Sequence, residues 1–175
     1  MNQKYRRMKP RIMMMLDHKV LRTLCAGYLF LVMTSSIQAQ SVSVFPTQNL
    51  SFGAFILGST GGSVTVAHSG TRSSTGDLFL ANLGVFFFPA TMEIQAPAGT
   101  IISILNGPNV QLTGSNGGSV TLSLGASSRG SSFTTTVSPP QRTIVNIGGT
   151  LSVGPQQNNP AGNYSGTFSI TFIEQ

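Results

Sequence analysis

Residues 164–172 read YSGTFSITF, so that Tyr164, Phe168, Ile170 and Phe172 alternate with small hydroxyl side chains. Successive side chains of a β-strand point to opposite faces, so this period of two predicts a strand with one apolar and one polar face. The same alternation recurs upstream at 63–66, 92–96, 102–104, 119–124, 143–147 and 150–153, with 50–57 as a more continuous apolar run. No stretch has the 3.6-residue period of an amphipathic helix.

Glycine, proline, serine and asparagine cluster between these runs. The clusters occupy 58–62, 69–76, 97–99, 106–109, 113–118, 125–132, 139–140 and 154–163. These residue types favour turns, and many short strands at close spacing indicate a sandwich or a barrel. We therefore predict an all-β domain, with a sandwich favoured at this length.

Three short segments resemble one another: GGSVTV at 61–66, GGSVTL at 117–122 and GGTLSV at 148–153. Each is interpreted as a tight turn that leads into a strand. The segments begin 56 and then 31 residues apart, because 117 − 61 = 56 and 148 − 117 = 31. Unequal spacing argues against a solenoid of equal repeats.

The net charge of +6 arises almost entirely before residue 40. Seven of the ten basic residues and one of the four acidic residues lie there, and three of each follow. Lys19 and Arg22 precede an apolar run at 24–33, which predicts a signal-peptide helix within residues 1–39. Cleavage is expected after Ala39, leaving Gln40 or Ser41 first, and the length of this segment favours translation from Met13, Met14 or Met15.

The predicted mature domain is therefore residues 40–175, secreted through the general secretory pathway to the periplasm, the cell surface or the medium. The apolar run at 24–33 is too short to span a bilayer, which needs about 20 residues. No later segment resembles a stop-transfer sequence, so no membrane span is expected in the mature protein. Cys25 is the one cysteine of the chain, and we expect it to be removed with the signal peptide. A neutral domain with three arginines has no basic face for nucleic acid, so no nucleic-acid partner is expected.

Few side chains after residue 40 support catalysis. His68 is the remaining histidine and Asp77 lies nine residues beyond it, so a hydrolase built on His68 is a third and least favoured hypothesis. The acids are scattered, and no cysteine or histidine cluster suggests zinc or calcium. We expect no enzyme, no catalytic residues, no metal site and no cofactor.

One group of residues stands out as a contact patch. Phe86, Phe87 and Phe88 are consecutive, so they cannot all face one side of a sheet, and at least one is expected at the surface. Arg72 is expected either to bond loop carbonyls or to contact a ligand. The aromatic run is interpreted either as a loop over the core or as a subunit contact.

Several blocks carry a family resemblance: LSFG at 50–53, GSTGGSVTV at 58–66, GTRSSTG at 70–76, PAGT at 97–100, IGGTLSVG at 147–154 and AGNYSGTF at 161–168. With these blocks the chain resembles the bacterial DUF4402 family, a domain of unknown function. The resemblance implies an exported, immunoglobulin-like β-sandwich of about 7–10 short, mainly antiparallel strands, similar to fimbrial subunits and spore-coat-type pilin relatives. It supplies no catalytic residues.

The fimbrial analogy implies two further sites. Gly162 is the fourteenth residue from the end and precedes the alternating Tyr164, Phe168, Ile170 and Phe172, which would form a last-strand assembly edge. Glu174 stands where such subunits carry a tyrosine. Val42, Val44 and Phe45 would form a short donor strand, which Pro46 ends because proline cannot donate a main-chain hydrogen bond.

The leading hypothesis is a secreted structural or adhesive protein, a fimbria-like subunit or a surface or matrix component. Its partners would be itself or other surface or fimbrial subunits, bound through sheet edges. The alternative is a stand-alone extracellular module that binds a glycan or small ligand through the loops around Arg72 and the Phe86–Phe88 cluster.

Overall fold

The computed structural model describes residues 42–175, which contain thirteen strands, one 3₁₀ turn at Gln156–Asn158 and no α-helix. Nine of these strands have five or more residues. The strands are β1 Ser43–Gln48, β2 Ser51–Phe52, β3 Phe55–Val66, β4 Arg72–Leu80, β5 Phe87–Phe88, β6 Ala90–Gln95, β7 Ile101–Asn106, β8 Val110–Gly114, β9 Ser119–Ser127, β10 Ser132–Thr134, β11 Thr143–Val153, β12 Tyr164–Ser165 and β13 Ile170–Glu174.

The strands form three antiparallel sheets. The largest has the order β1-β6-β11-β9-β8-β12, with β3 and β4 added beside β11. A second sheet has the order β10-β7-β13, and β2 pairs with β5 in a two-stranded ribbon. The prediction of an all-β fold is confirmed. Within the described residues, no helix is long and apolar enough to cross a membrane.

Strand β11 connects the two halves of the large sheet. Along one edge its first half pairs with β6 and its second half with β3, while β9 runs along the opposite edge. The register shifts between Ile147 and Gly149, so Gly148 lies at a bulge. Runs 143–147 and 150–153, predicted as separate strands, are therefore one strand, because a bulge bends a strand without ending it.

Alternate side chains of these strands build two apolar cores. The first core consists of Phe52, Val64, Val66, Leu78, Leu112, Val120, Leu122, Leu151 and Val153. The second core consists of Ala90, Met92, Ile94, Ala96, Ile102, Ile104, Val145 and Ile147. Leu50 and Phe168 pack against both cores.

The three glycine-led segments become neighbours in space. They lie in β3, β9 and β11, and Leu151 pairs with Val64 on one side and with Leu122 on the other. Six of the nine first-core residues come from these segments. Only 117–118 forms the predicted turn before a strand, whereas Gly62 and Gly148 lie inside β3 and β11.

The predicted turns at 58–62 and 69–76 were wrong over much of their length. Residues 58–62 lie within β3, and Arg72 begins the nine-residue β4. The two strands pair on either side of an irregularity between Leu57 and Gly62. Main-chain pairing with a long neighbour outweighs the turn preference of serine and glycine, and the Ser63 and Thr75 hydroxyl groups bond across the pair at 2.7 Å.

The tail alternates as predicted but forms two strands. Residues 164–165 pair with β8 in the large sheet, and Ile170–Glu174 pairs with β7 in the three-stranded sheet. Between them the chain crosses from one sheet to the other, with Phe168 packed against both cores. The predicted signal peptide at 1–39, its start at Met13, Met14 or Met15 and its cleavage at Ala39 and Gln40 lie outside the described residues.

Candidate functional site

An open cleft of about 980 Å³ lies against the first core. One wall is formed by residues 49–57 and the other by residues 159–168. First-core side chains form its apolar floor, among them Leu112, Leu122 and Leu151. A cavity of this size is in the range of ligand and peptide sites, about 300–1,000 Å³.

The cleft is uncharged and has a polar margin. None of the lining residues, all within the described part of the chain, is Asp, Glu, Lys, Arg or His. Asn49, Ser51, Asn163 and Thr167 supply polar groups among the apolar ones. The buried Asn159 donates through Nδ2 to the carbonyl oxygen of Pro155, while its Oδ1 has no donor among the described residues.

Both walls of the cleft have a free strand edge. In the first wall, residues 55–57 pair with β4 on one side, and no ladder within residues 42–175 uses their other side. In the second wall, residues 164–165 pair only with β8, and residues 166–168 belong to no strand. Unpaired strand edges are templates for an added strand.

Beside the cleft lies a surface that we call the apolar cap. Of the thirteen large apolar side chains that are exposed among the described residues, eight lie between residues 56 and 88. They are Ile56, Phe79, Leu80, Leu83, Val85, Phe86, Phe87 and Phe88. Strand pairing ties these segments together: Ile56 faces Phe79 across β3 and β4, and β2 pairs with β5.

The cap is large for an exposed apolar surface. Phe86 is 72 % exposed, and its ring stacks on that of Phe88 at a centroid distance of 6.1 Å. At about 200 Å² for each large side chain, the eight exposed fractions correspond to about 900 Å² in all, divided between two faces, because consecutive strand residues such as Phe79 and Leu80 point to opposite sides of the sheet. The largest apolar patch on an ordinary monomer is about 300–600 Å², and a stable interface covers about 800 Å² on each partner.

Arg72 contacts both the apolar cap and the loop that precedes β3. Its Nη2 donates to the carbonyl oxygen of Ala54, and its guanidinium lies 5.2 Å from the centroid of the Phe87 ring. Burial lowers the pKa of Arg72 below its ordinary value, because desolvation disfavours the charged form. Arg72 therefore forms a hydrogen bond with a loop carbonyl, which is one of the two roles expected for it. Within the predicted contact patch, the Arg72 guanidinium lies over the Phe87 ring, and the Phe86 ring stacks on that of Phe88.

The predicted donor strand lies in and just before β1, which pairs with β6 of the same chain. Val42 packs against the second core, and Val44 is 38 % exposed. Phe45 points to the other face, where the Arg142 guanidinium lies 3.8 Å from its ring centroid. Arg142 also forms an ion pair with Glu93 at 2.9 Å. The role of these residues as a donor strand stays a prediction.

The predicted last-strand edge is divided between the cleft and the second core. Gly162 and Tyr164 line the cleft, and the Tyr164 hydroxyl donates to the carbonyl oxygen of Pro160 at 2.8 Å. Phe168 also lines the cleft, whereas Ile170 and Phe172 pack against the second core. Assembly through this edge stays a prediction.

The ionisable residues are dispersed. His68 lies in the turn after β3, while Asp77 accepts a hydrogen bond from the Thr60 N–H, about 17 Å further along the hairpin at about 3.3 Å per residue. No three histidine, cysteine, aspartate or glutamate side chains within residues 42–175 are grouped to hold a metal ion. His68 and Asp77 are not brought together.

The sequence-based analysis missed the cleft and five of the eight cap residues. Ile56, Phe79, Leu80, Leu83 and Val85 were not identified as contact residues. A signal was present, because no charged residue occurs between Asp77 and Glu93. The cleft had no such signal, because its walls come from segments more than a hundred residues apart in the chain.

The described residues form an all-β domain of antiparallel sheets with an uncharged cleft and an apolar surface beside it. The chain belongs to the DUF4402 family, a domain of unknown function, whose family model matches residues 42–173. The resemblance seen in the sequence blocks is confirmed. No curated protein and no solved structure matches the chain.

Proposed function

We propose that this chain is a secreted, non-enzymatic structural or adhesive protein, a fimbria-like subunit or a component of the cell surface or matrix. In this proposal the two cores belong to an immunoglobulin-like sandwich that acts by surface contact. The observation that supports this proposal is the apolar cap. Its exposed apolar area, about 900 Å² summed over both faces, is comparable with the area of about 800 Å² that one partner contributes to a stable interface.

The charge of the domain supports self-association. Residues 42–175 carry Arg72, Arg129 and Arg142 against Asp77, Glu93 and Glu174. A net charge near zero removes the long-range repulsion that keeps highly charged proteins apart. None of the eight cap side chains is ionisable, so bringing them together buries apolar area without burying a charge of their own.

Sedimentation velocity over a wide concentration range tests the proposal. We expect the purified wild-type chain to associate, and Phe86→Ser to weaken association about tenfold or more, since each tenfold is about 1.4 kcal/mol. Ile144→Ser is the matched control, because Ile144 is an exposed apolar residue outside the cap. A wild-type chain that remains monomeric throughout would contradict the proposal.

The stacked, exposed rings of Phe86 and Phe88 favour a second candidate, a stand-alone extracellular module that binds a glycan or small ligand. Sugar rings stack on exposed aromatic faces, and such a protein would stay monomeric. Binding to a glycan array that is lost on Phe88→Ala and kept on Ile144→Ala would favour this candidate. Arg72→Ala is less informative, because Arg72 fastens the carbonyl of Ala54.

A further inference from the structure

The segment between β4 and β6 projects from the body of the domain. All residues in 82–88 are exposed, and five of them are large and apolar: Leu83, Val85, Phe86, Phe87 and Phe88. An extended segment that lies flat on a domain buries about every second side chain, so an unbroken exposed run stands away from the surface. We call residues 82–88 the apolar loop, which is the loop part of the cap.

The side chains of the apolar loop point to both of its sides. The Phe86 ring stacks on that of Phe88, whereas the intervening Phe87 ring lies against the Arg72 guanidinium. A protein partner covers one side of such a loop and leaves the other side in water. A lipid bilayer surrounds an inserted loop on all sides, so it removes the apolar area of both sides from water.

The loop also has no charge that insertion would take out of water. No charged residue occurs between Asp77 and Glu93 in the sequence. A charged side chain is costly in the hydrocarbon of a bilayer, whereas an apolar one is stabilised there. At about 200 Å² for each large side chain, the exposed fractions of the five apolar residues correspond to about 550 Å². Hydrocarbon is therefore a chemically matched surrounding for this loop.

The base of the loop is fastened to the domain. The Ala81 N–H donates to the carbonyl oxygen of Ala54 at 3.0 Å, and the Ser51 hydroxyl donates to the carbonyl oxygen of Phe86 at 2.8 Å. Pairing of β5 with β2 adds main-chain hydrogen bonds at the end of the loop. The apolar side chains are therefore presented in a fixed arrangement, so binding does not have to order the loop first.

We propose that the apolar loop inserts into one leaflet of a lipid bilayer and attaches the domain to a membrane surface without spanning it. This inference rests on the proposed function, in which the cap is the contact surface of a surface protein, and it names lipid as the partner of the loop part. At about 30 Å² for each CH₂, the apolar area of the loop is comparable with that of one acyl chain, which binds bilayers with an association constant of about 10⁴ M⁻¹.

Tryptophan fluorescence tests the insertion, because the chain has no tryptophan of its own. In the Phe86→Trp chain, vesicles of zwitterionic phosphatidylcholine should move the emission to shorter wavelengths, and bromine atoms on the acyl chains should quench it. Salt at about 0.5 M screens attraction between charges, so the readout reports apolar contact. Ile144→Trp is the matched control, because Ile144 is exposed and apolar but lies outside the cap, and its emission should not change. Emission of Phe86→Trp that the vesicles leave unaltered would overturn the inference.

A second substitution measures how strongly the loop binds. Leu83 is 71 % exposed and lies at a bend outside every strand, so Leu83→Ser should leave the fold intact. Added to the Phe86→Trp chain, it should weaken vesicle binding about tenfold or more, because it removes apolar area from the inserted surface. Ile144→Ser in the same chain should leave binding unchanged. Equal binding by the two double variants would contradict insertion through the loop.

The result is separable from the test of self-association. A wild-type chain that associates in water, while brominated lipid never quenches Phe86→Trp, would refute insertion alone. Quenching by brominated lipid in a chain that stays monomeric in water would support insertion and contradict self-association. An emission shift that follows the protein concentration and not the lipid concentration would assign the loop to a second copy, and this result would overturn the inference.

Discussion

The two cores are built from the same kind of strand but differ in what covers them. The second core lies between the β1-β6-β11 part of the large sheet and the β10-β7-β13 sheet. All but one of the buried residues of the first core come from the large sheet, and the side chains packed against them from outside that sheet are few, among them Leu50 and Phe168. The cleft is lined by five side chains of the first core and by Met92 alone of the second, so it is mainly the first core that opens into the cleft.

This difference shows where the function of the domain can reside. A closed core contributes stability, because its apolar area is fully removed from water. An open core contributes less stability and keeps an apolar floor for a partner. The apolar cap borders the open core through Leu83 and Val85, which line the cleft, so the cleft and the cap adjoin each other.

The largest expected effect comes from truncating matched residues in the two cores. Ile104 in the second core is 8 % exposed and Leu112 in the first is 7 % exposed. We expect Ile104→Ala to lower the free energy of unfolding by about 3–4 kcal/mol, and Leu112→Ala by about 2 kcal/mol, because truncation beside the open cleft creates no enclosed cavity. Urea denaturation measures both. Equal losses would show that the cleft is closed in solution.

The bulge between the cores is the next point to test. A Cβ at Gly148 would lie 2.5 Å from the carbonyl oxygen of Val66 and 2.8 Å from the amide nitrogen of His68. Both are main-chain atoms, so Gly148→Ala should destabilise the protein by about 2 kcal/mol. Gly125→Ala is the control, since its nearest contact is 3.4 Å. Thermal unfolding checks the pair, and similar melting temperatures would contradict close packing at the bulge.

A smaller effect is expected where β1 covers the second core. Arg142 holds this strand through the Phe45 ring and pairs with Glu93. Both ionic groups are partly exposed, so Arg142→Ala should cost about 1 kcal/mol and speed hydrogen exchange of the β1 amides. Arg129→Ala is the control. The Arg129 side chain donates to the carbonyl oxygen of Ile144, and its removal should leave the exchange of the β1 amides unchanged. Unaltered exchange in Arg142→Ala would show that β1 is held by its ladder alone.

The strands that alternate in sequence were predictable, and the strands made of hydroxyl residues were not. Runs 92–96, 102–104 and 119–124 fall within β6, β7 and β9 or reach one residue past them. After Arg72, the first half of β4 has serine and threonine on both faces, so hydrophobicity of period two gives no signal there. Its pairing with β3 decides its conformation. The exposed phenylalanines of the patch were expected because three consecutive aromatics cannot share one face.

The sequence by itself determined that this domain is all-β, because a period of two places every second side chain on one face regardless of what that face meets. It also determined that a long stretch around Phe86 carries no charge. Only the tertiary structure decided that the tail divides between two sheets and that one core stays open. These features depend on which strand lies opposite which, and that choice is set by packing between segments far apart in the chain.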